Sequence, residues 1–412
     1  MIQKIKGTMD ILPDKTPLFR YIEAIMREEA QKYGFGEIRL PTFELTELFV
    51  RGVGDTTDVV QKEMYTFMDG DESISLRPEG TAGVARALIE NGKYGDTMPQ
   101  TSYYIMSCFR HEKPQAGRTR EFFQFGTEMF GADTPAADAT VIALAYAVLR
   151  RLGLSGIRLH LNSIGCKECR PAFRAALTEH FSAHTAELCD TCRERLHKNP
   201  LRLLDCKSPI CSAIAKEAPR TVEHLCDGCA DHFRQLCSIL DAMEIPYVID
   251  PAIVRGLDYY TRTVFEFVAE GIAAQSTVCG GGRYDGLVES LGGPALSGIG
   301  FGMGITRVIM AMEKEGLADI TAPAPRLYIA TLGEKAVPTA LAICERLRGS
   351  GVYAECDLVG RSLKAQMKYA NKLGADYTLI LGDNEIETGR AMLRDMKNSE
   401  QSEVEIASFS LK

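Results

Sequence analysis

Four cationic side chains, Arg110, Lys113, Arg118 and Arg120, fall within eleven consecutive positions of this 412-residue chain. Cations that close repel one another unless an anion sits among them. Arginine presents a planar fork of donors suited to phosphate oxygens. Tyr103, Tyr104 and Ile105 before the cluster, and Phe122, Phe123 and Phe125 after it, read as strands, while Pro114 and Gly117 break the pattern between them. The segment from Ser107 to Glu128 is therefore expected to be two strands joined by a long cationic loop. A solvated basic hairpin is the plainer alternative. Glu79 and Thr81 sit where a strand-like run passes into a helix. A carboxylate and a hydroxyl facing a cleft there could hold an amine, or Thr81 could be only a helix cap.

Glycine and cysteine carry the other signals. Gly298, Gly300, Gly302 and Gly304 alternate with apolar residues, so all four share one face of a strand. That bare face could receive something flat, such as a purine ring, with Arg307 at its edge. Close packing against another element is the alternative. Cysteines arrive in four pairs: Cys166/Cys169, Cys189/Cys192, Cys206/Cys211 and Cys226/Cys229. The first two pairs are C-x2-C motifs nineteen residues apart, which matches tetrahedral zinc-site spacing and makes Cys166, Cys169, Cys189 and Cys192 the expected structural Zn²⁺ ligands. The other two pairs would close a second site. Small buried hydrophobes and reversible disulfides are the alternatives.

The elements that must position these residues read coarsely as follows. A helix opens at Thr16-Pro17, with the Thr16 hydroxyl as its cap, and turns Leu18, Ile22, Ile25 and Met26 to one face. A strand runs to Pro41, a helix from Leu45 to Val50, a strand from Glu63 to Asp69, and a helix follows Ala82. Ala136 to Leu152 is a long alanine-rich helix and Ile157 to Leu161 a strand. Tyr259 and Tyr260 are expected on opposite sides of an extended segment, one packing while the other presents its hydroxyl. Gly316 to Pro325 is a linker by composition. Beyond it strand and helix alternate from Leu327 to Leu381, a small α/β domain with parallel strands. Lys364, Lys368 and Lys372 recur every four residues on one helix face there.

Composition narrows the class. Charged residues make up 25% and apolar residues 45%, an ordinary globular balance. The net charge of −8 means that any polyanion is met by local basic patches. No apolar run of about eighteen residues predicts a membrane span. Thirteen cysteines without a secretion signal fit a reducing, cytoplasmic setting better than a disulfide scaffold.

Together, Phe109-Arg110-His111-Glu112 with its basic loop, the glycine run ending at Arg307, and the C-terminal α/β domain resemble a class II aminoacyl-tRNA synthetase. Pro41 stands where the first class motif would be. Val254-Arg255-Gly256-Leu257-Asp258-Tyr259-Tyr260 and Arg77-Pro78-Glu79-Gly80-Thr81 resemble the signatures of the histidyl-tRNA synthetase family. The resemblance covers essentially the whole chain. It implies an α+β catalytic domain on an antiparallel sheet (1–165 and 241–320), a mostly helical Cys-rich insertion (166–240) and an α/β anticodon-binding domain (325–412). It implies activation of L-histidine by ATP with Mg²⁺, then transfer to the 3′ end of tRNA(His), by a homodimer.

By the same resemblance, Arg110 and Arg255 would grip the α-phosphate, and Arg118 and Arg307 the departing pyrophosphate. Glu79, Gly80 and Thr81 would hold the α-amino group and Gln124 the carboxylate. Glu128, Tyr259 and Tyr260 would surround the imidazole. Lys113, Gln115 and Arg120 would meet the tRNA acceptor end. The class motif usually carries an acidic residue just before its last arginine, and here Thr306 stands there. A catalytically dead relative, the regulatory subunit of ATP phosphoribosyltransferase, is the competing expectation.

Overall fold

The computed structural model describes every residue except 56, 199, 205, 207, 254–258, 273–276 and 412. The chain divides into two compact units, Met1–Ile320 and Thr321–Lys412, a boundary that falls in the Pro- and Ala-rich linker. No helix among the described residues is long and apolar enough to cross a membrane.

The first unit is built on an eight-stranded sheet. Its strands, in spatial order, are Gly36–Glu37, Gln100–Phe109, Glu121–Phe130, Gly298–Gly304, Thr277–Arg283, Thr261–Ala269, Ile157–Ser163 and Tyr247–Ile249. The six inner strands pair antiparallel. The two very short edge strands pair parallel, leaving little unpaired backbone at the rim. The expected hairpin around the cationic loop is its longest pairing, in register from Gln100↔Phe130 to Phe109↔Glu121.

Strand alternation splits this sheet into two chemically different faces. Phe125 and Met129 point into a large apolar core shared with the helices Thr16–Lys32, Pro135–Arg151 and Ile305–Lys314. On the first helix Leu18, Ile22, Ile25 and Met26 are buried, as the periodicity predicts. Each such side chain stabilises the fold by roughly 1.5–3 kcal/mol. The Thr16 hydroxyl does not cap that helix; it donates to the Leu12 carbonyl at 3.0 Å instead. Gln124, Gly126 and Glu128 face the other way. A smaller sheet of Phe43–Leu45, Glu72–Leu76 and Thr66–Asp69 precedes the helix Thr81–Glu90.

The Cys-rich stretch is helical, with Arg170–Ser182, Asp190–Lys198, Pro209–Lys216 and Asp227–Ala242. It has its own small core around Phe173, Leu177, Phe181 and Leu203. The second unit has the expected parallel strands Leu327–Thr331, Ala354–Cys356 and Tyr377–Leu381. Two antiparallel strands, Arg390–Asp395 and Gln401–Glu405, extend that sheet beyond the sequence expectation. The first carries its apolar residues as one run, Ala391-Met392-Leu393, and the second is polar and mostly exposed, so no apolar alternation announces either. Lys364, Lys368 and Lys372 are exposed on the helix Leu363–Leu373.

Candidate active site

Glu128 lies at the centre of the polar face and is fully buried. Its Oε1 accepts from Thr81 Oγ1 at 2.8 Å and from the Tyr104 hydroxyl at 3.3 Å. Its Oε2 accepts closely from the Tyr284 hydroxyl. Burial pushes this carboxyl up to about 8, against the pull of its hydroxyl donors. Tyr259 and Tyr260 pack beside it, with ring centroids 4.7 Å apart and the Tyr259 ring 5.6 Å from that of Tyr284. They are neighbours on one side, not on opposite sides, because Tyr259 sits in a turn where strand alternation does not apply.

Glu79 is buried next to this group. Its two oxygens accept from the backbone N–H groups of Thr81 (2.7 Å) and Ala82 (2.9 Å), so Glu79 caps the Thr81–Glu90 helix. That leaves the Thr81 hydroxyl free of capping and aimed at Glu128. Burial raises the Glu79 carboxyl although these amides favour its charge. Arg77 fixes the approach to the helix by donating to Leu40 O (2.9 Å), Pro41 O (2.8 Å) and Ser107 O (2.6 Å). Gly80 and Gly126 make room for the Tyr104 ring, since a Cβ at either position would fall inside contact with it.

The glycine run is less open than its sequence suggests. Tyr284 lies over Gly298, the Glu128 carboxyl and Tyr284 hydroxyl fill the space beside Gly300, and the Gln124 amide covers Gly302. Close packing therefore accounts for three of the four glycines, and only the Gly302–Gly304 end is partly exposed. Gln124 itself stays half-exposed, accepting from Cys108 Sγ at 3.7 Å.

The cations form a second cluster. Arg110 donates from Nε to Pro78 O at 2.9 Å, and its guanidinium lies 5.4 Å from the Phe122 ring centroid. Arg118 pairs with Glu112 at 3.0 Å. Arg307 reaches across to the loop, donating to Gly117 O at 3.0 Å and to Thr277 O at 2.8 Å. Burial, and next the charge of Arg118, pull the Arg307 guanidinium below its ordinary value; Arg110 adds to this, while Glu112 and Glu266 oppose it. The sequence thus brings three arginines together where an anion would relieve them. Lys113 and Gln115 are exposed, but Arg120 packs on Gly7 and stretches its Nε to Glu112 O at 3.5 Å. Arg255 lies outside the described residues, as does the rest of its Val254–Asp258 segment.

The cysteines pair differently from the sequence expectation. Cys166 and Cys169 meet Cys226 and Cys229, while Cys189 and Cys192 meet Cys206 and Cys211; in each group all ligand atoms lie within 4.8 Å of one another. Cys166, Cys169, Cys189 and Cys192 therefore do not form one site. Sequence spacing fixed the pairs but not which pairs meet.

One buried group escaped sequence reasoning altogether. Asp138, fully buried, accepts from His232 Nε2 at 2.7 Å, Thr263 Oγ1 at 2.6 Å and Arg283 Nε at 3.0 Å. Burial alone would raise this carboxyl, but His232 and Arg283 outweigh it and hold it below its ordinary value. Arg283, also fully buried, holds Asp285 at 3.0 Å. It is followed in sequence by Tyr284, so this network anchors the strand end that delivers the Tyr284 hydroxyl to Glu128. Arg283 adjoins the glycine triplet, but nothing local in the sequence points to a partner 145 residues away.

Comparison with known proteins agrees across the chain. Residues 7–308 match the family model for histidyl-tRNA synthetase, and residues 326–411 that for an anticodon binding domain. A histidine–tRNA ligase of Caldicellulosiruptor bescii is 51% identical over 406 residues, covering 98% of this chain and 96% of that protein. One from Acetivibrio thermocellus is 51% identical over 407 residues, covering 98% of each. The apo histidyl-tRNA synthetase of S. aureus superposes with a TM-score of 0.83 at 38% identity, over 99% of this chain and 98% of that one. With the model spanning most of the catalytic unit and such relatives matching from end to end, this chain belongs to the histidyl-tRNA synthetase family.

Proposed function

We propose that this chain is a histidine–tRNA ligase that activates L-histidine with ATP and transfers it to the 3′ end of tRNA(His), working in the cytoplasm as a homodimer. The observation that carries the reading is the juxtaposition of the buried Glu128 group with the arginine cluster: one suits an imidazole, the other an anion. A pocket that pairs both ring nitrogens rejects side chains that leave its polar groups unmatched. Glu128, Tyr259 and Tyr260 are assigned to the ring, Glu79, Gly80 and Thr81 to the α-amino group, and Gln124 to the carboxylate.

In the first step a histidine carboxylate oxygen attacks the α-phosphorus of ATP and pyrophosphate leaves. Negative charge accumulates on the oxygens around the pentacoordinate phosphorus, where fixed guanidiniums stabilise the transition state more than the ground state. Arg110 and Arg255 are assigned to that phosphate, and Arg118 and Arg307 to the pyrophosphate. Mg²⁺ arriving with the nucleotide would supply further charge neutralisation. Glu112 and Glu266, whose charges act on Arg307, offer hard oxygen donors of the kind it takes. Lys113, Gln115 and Arg120 are assigned to the acceptor end of tRNA.

Support for the homodimer comes from one face of the small sheet, where Phe43, Leu45 and Phe67 flank Ile74 and Leu76 in register and are each about half exposed. Clustered apolar side chains of this kind mark protein contacts. The intact arginines and the matched end domain favour the ligase over a regulatory subunit. ATP–pyrophosphate exchange with each of the twenty amino acids tests the proposal. Exchange with histidine alone is expected, and none with any amino acid would refute it.

A further inference from the structure

The eight paired cysteines sit in two tetrads whose geometry is that of a metal centre. Within the first, Cys166 Sγ lies 3.7 Å from Cys169 Sγ and 3.8 Å from Cys226 Sγ. In the second, Cys189 Sγ lies 3.9 Å from Cys206 Sγ. A metal bound tetrahedrally at a metal–sulfur distance of ~2.3 Å puts its sulfurs roughly 3.8 Å apart. A disulfide would need ~2.05 Å, and all eight thiols are free. Each tetrad has two buried and two half-buried members, so each is shielded yet reachable.

The surroundings also suit thiolates. Glu168 N donates to Cys166 Sγ at 3.4 Å, Cys226 N to Cys169 Sγ at 3.1 Å, and Cys189 N to Cys211 Sγ at 3.3 Å. Backbone amides aimed at sulfur offset the charge that four thiolates carry, and orient the ligands. Gly165 adopts φ +67° and permits the tight approach, since a Cβ there would lie 2.7 Å from that of Cys169.

We propose that this chain holds two structural zinc ions in nested tetrathiolate centres, Cys166–Cys169–Cys226–Cys229 outside and Cys189–Cys192–Cys206–Cys211 inside. Soft, closed, four-sulfur tetrahedra favour Zn²⁺ among divalent ions and leave no open position for chemistry. Each ion taken up displaces the remaining thiol protons of its tetrad to the buffer. The two centres do different work. The outer one ties the point where the chain leaves the sheet after Ile157–Ser163 to the point where it returns on the Asp227–Ala242 helix. It adjoins the catalytic pocket, because Arg170 donates to the Tyr260 carbonyl and Arg262 N to Gly165 O at 2.9 Å. The inner one staples the insertion's own core, which is small enough to need a metal.

Metal analysis by mass spectrometry of full-length protein, reconstituted with zinc under reducing conditions, is expected to give two ions per chain. Cys166→Ser/Cys229→Ser strikes one centre and is expected to keep one ion. Cys166→Ser/Cys189→Ser strikes both and is expected to keep none. Sequential pairing of the motifs predicts the reverse. Should either variant fail to fold, the wild type still decides: limiting chelator followed by thiol alkylation should free cysteines in one nested set at a time. Fewer than two ions in the wild type, the reversed variant pattern, or freed sets that mix the two tetrads would each overturn the proposal.

Discussion

Replacing Glu128 by glutamine separates what this side chain costs the fold from what it contributes to the pocket. Burial holds the wild-type carboxyl at about 8 against an ordinary 4.5, so the folded chain keeps a proton that the unfolded chain releases. The penalty is absent below about pH 4.5, grows as pH rises, and levels off above about 8. Between pH 6 and 8.5 a shift of this size costs the wild type roughly 2–3 kcal/mol. Glutamine cannot titrate and has the same shape, and the Thr81, Tyr104 and Tyr284 hydroxyls can rotate to accept from its amide. The variant should therefore gain roughly 2–3 kcal/mol relative to wild type over that interval. The chain has no tryptophan, so urea unfolding is followed by the emission of its fifteen tyrosines, four of which (Tyr104, Tyr259, Tyr260 and Tyr284) belong to the Glu128 cluster. In pyrophosphate exchange near pH 7 the same variant should lose about 3- to 10-fold in kcat/KM for histidine, as expected for one hydrogen bond of a carboxyl that carries its proton there, with KM for ATP little changed. A stability difference that is flat from pH 6 to 8.5 would refute the burial argument. Full histidine activity would refute the assignment of Glu128 to the ring.

Three further outcomes are expected. Arg307→Ala should reduce exchange turnover by roughly 10²–10³-fold while leaving unfolding midpoints within about 1 kcal/mol, measured by single-turnover kinetics; a loss confined to KM for histidine would contradict its place with the phosphates. Asp138→Asn removes the fully buried one of the two carboxylates that pair with Arg283, leaving it Asp285 alone, and should destabilise the first unit by roughly 2–4 kcal/mol in denaturant titration; an effect under about 1 kcal/mol would show that the network is not what anchors Tyr284. On the proposed homodimer, wild-type protein should give twice the chain mass in light scattering and Phe67→Asp on the small sheet the mass of one chain; a dimeric variant would place the contact elsewhere, and a monomeric wild type would refute the dimer.

Much of the site was legible because strand and turn chemistry are local. The aromatic runs around the cationic loop predict the hairpin, and period two puts Gln124 and Glu128 on one face whatever the rest of the chain does. Glu79 and Thr81 at a strand-to-helix junction are likewise a local signal, although which of them caps the helix is decided by packing. The Glu79 carboxylate takes both amides only because the Thr81 hydroxyl is drawn to Glu128, 47 residues on. The glycine run declares a close approach, but not whether a ligand or the chain's own Tyr284 and Gln124 would make it.

The cysteines mark the limit most clearly. A C-x2-C spacing delivers two sulfurs to one point through a single turn, which sequence alone determines. Which two turns then meet is a matter of topology. The insertion leaves the Ile157–Ser163 strand and returns to Tyr247–Ile249, its parallel neighbour, so its first and last cysteine pairs are brought together and the inner pairs are left to each other. Asp138 and Arg283 meet for the same reason: packing the Pro135–Arg151 helix on the sheet sets Asp138 beside the end of the Thr277–Arg283 strand, and no local pattern encodes a contact between residues that the chain keeps 145 positions apart.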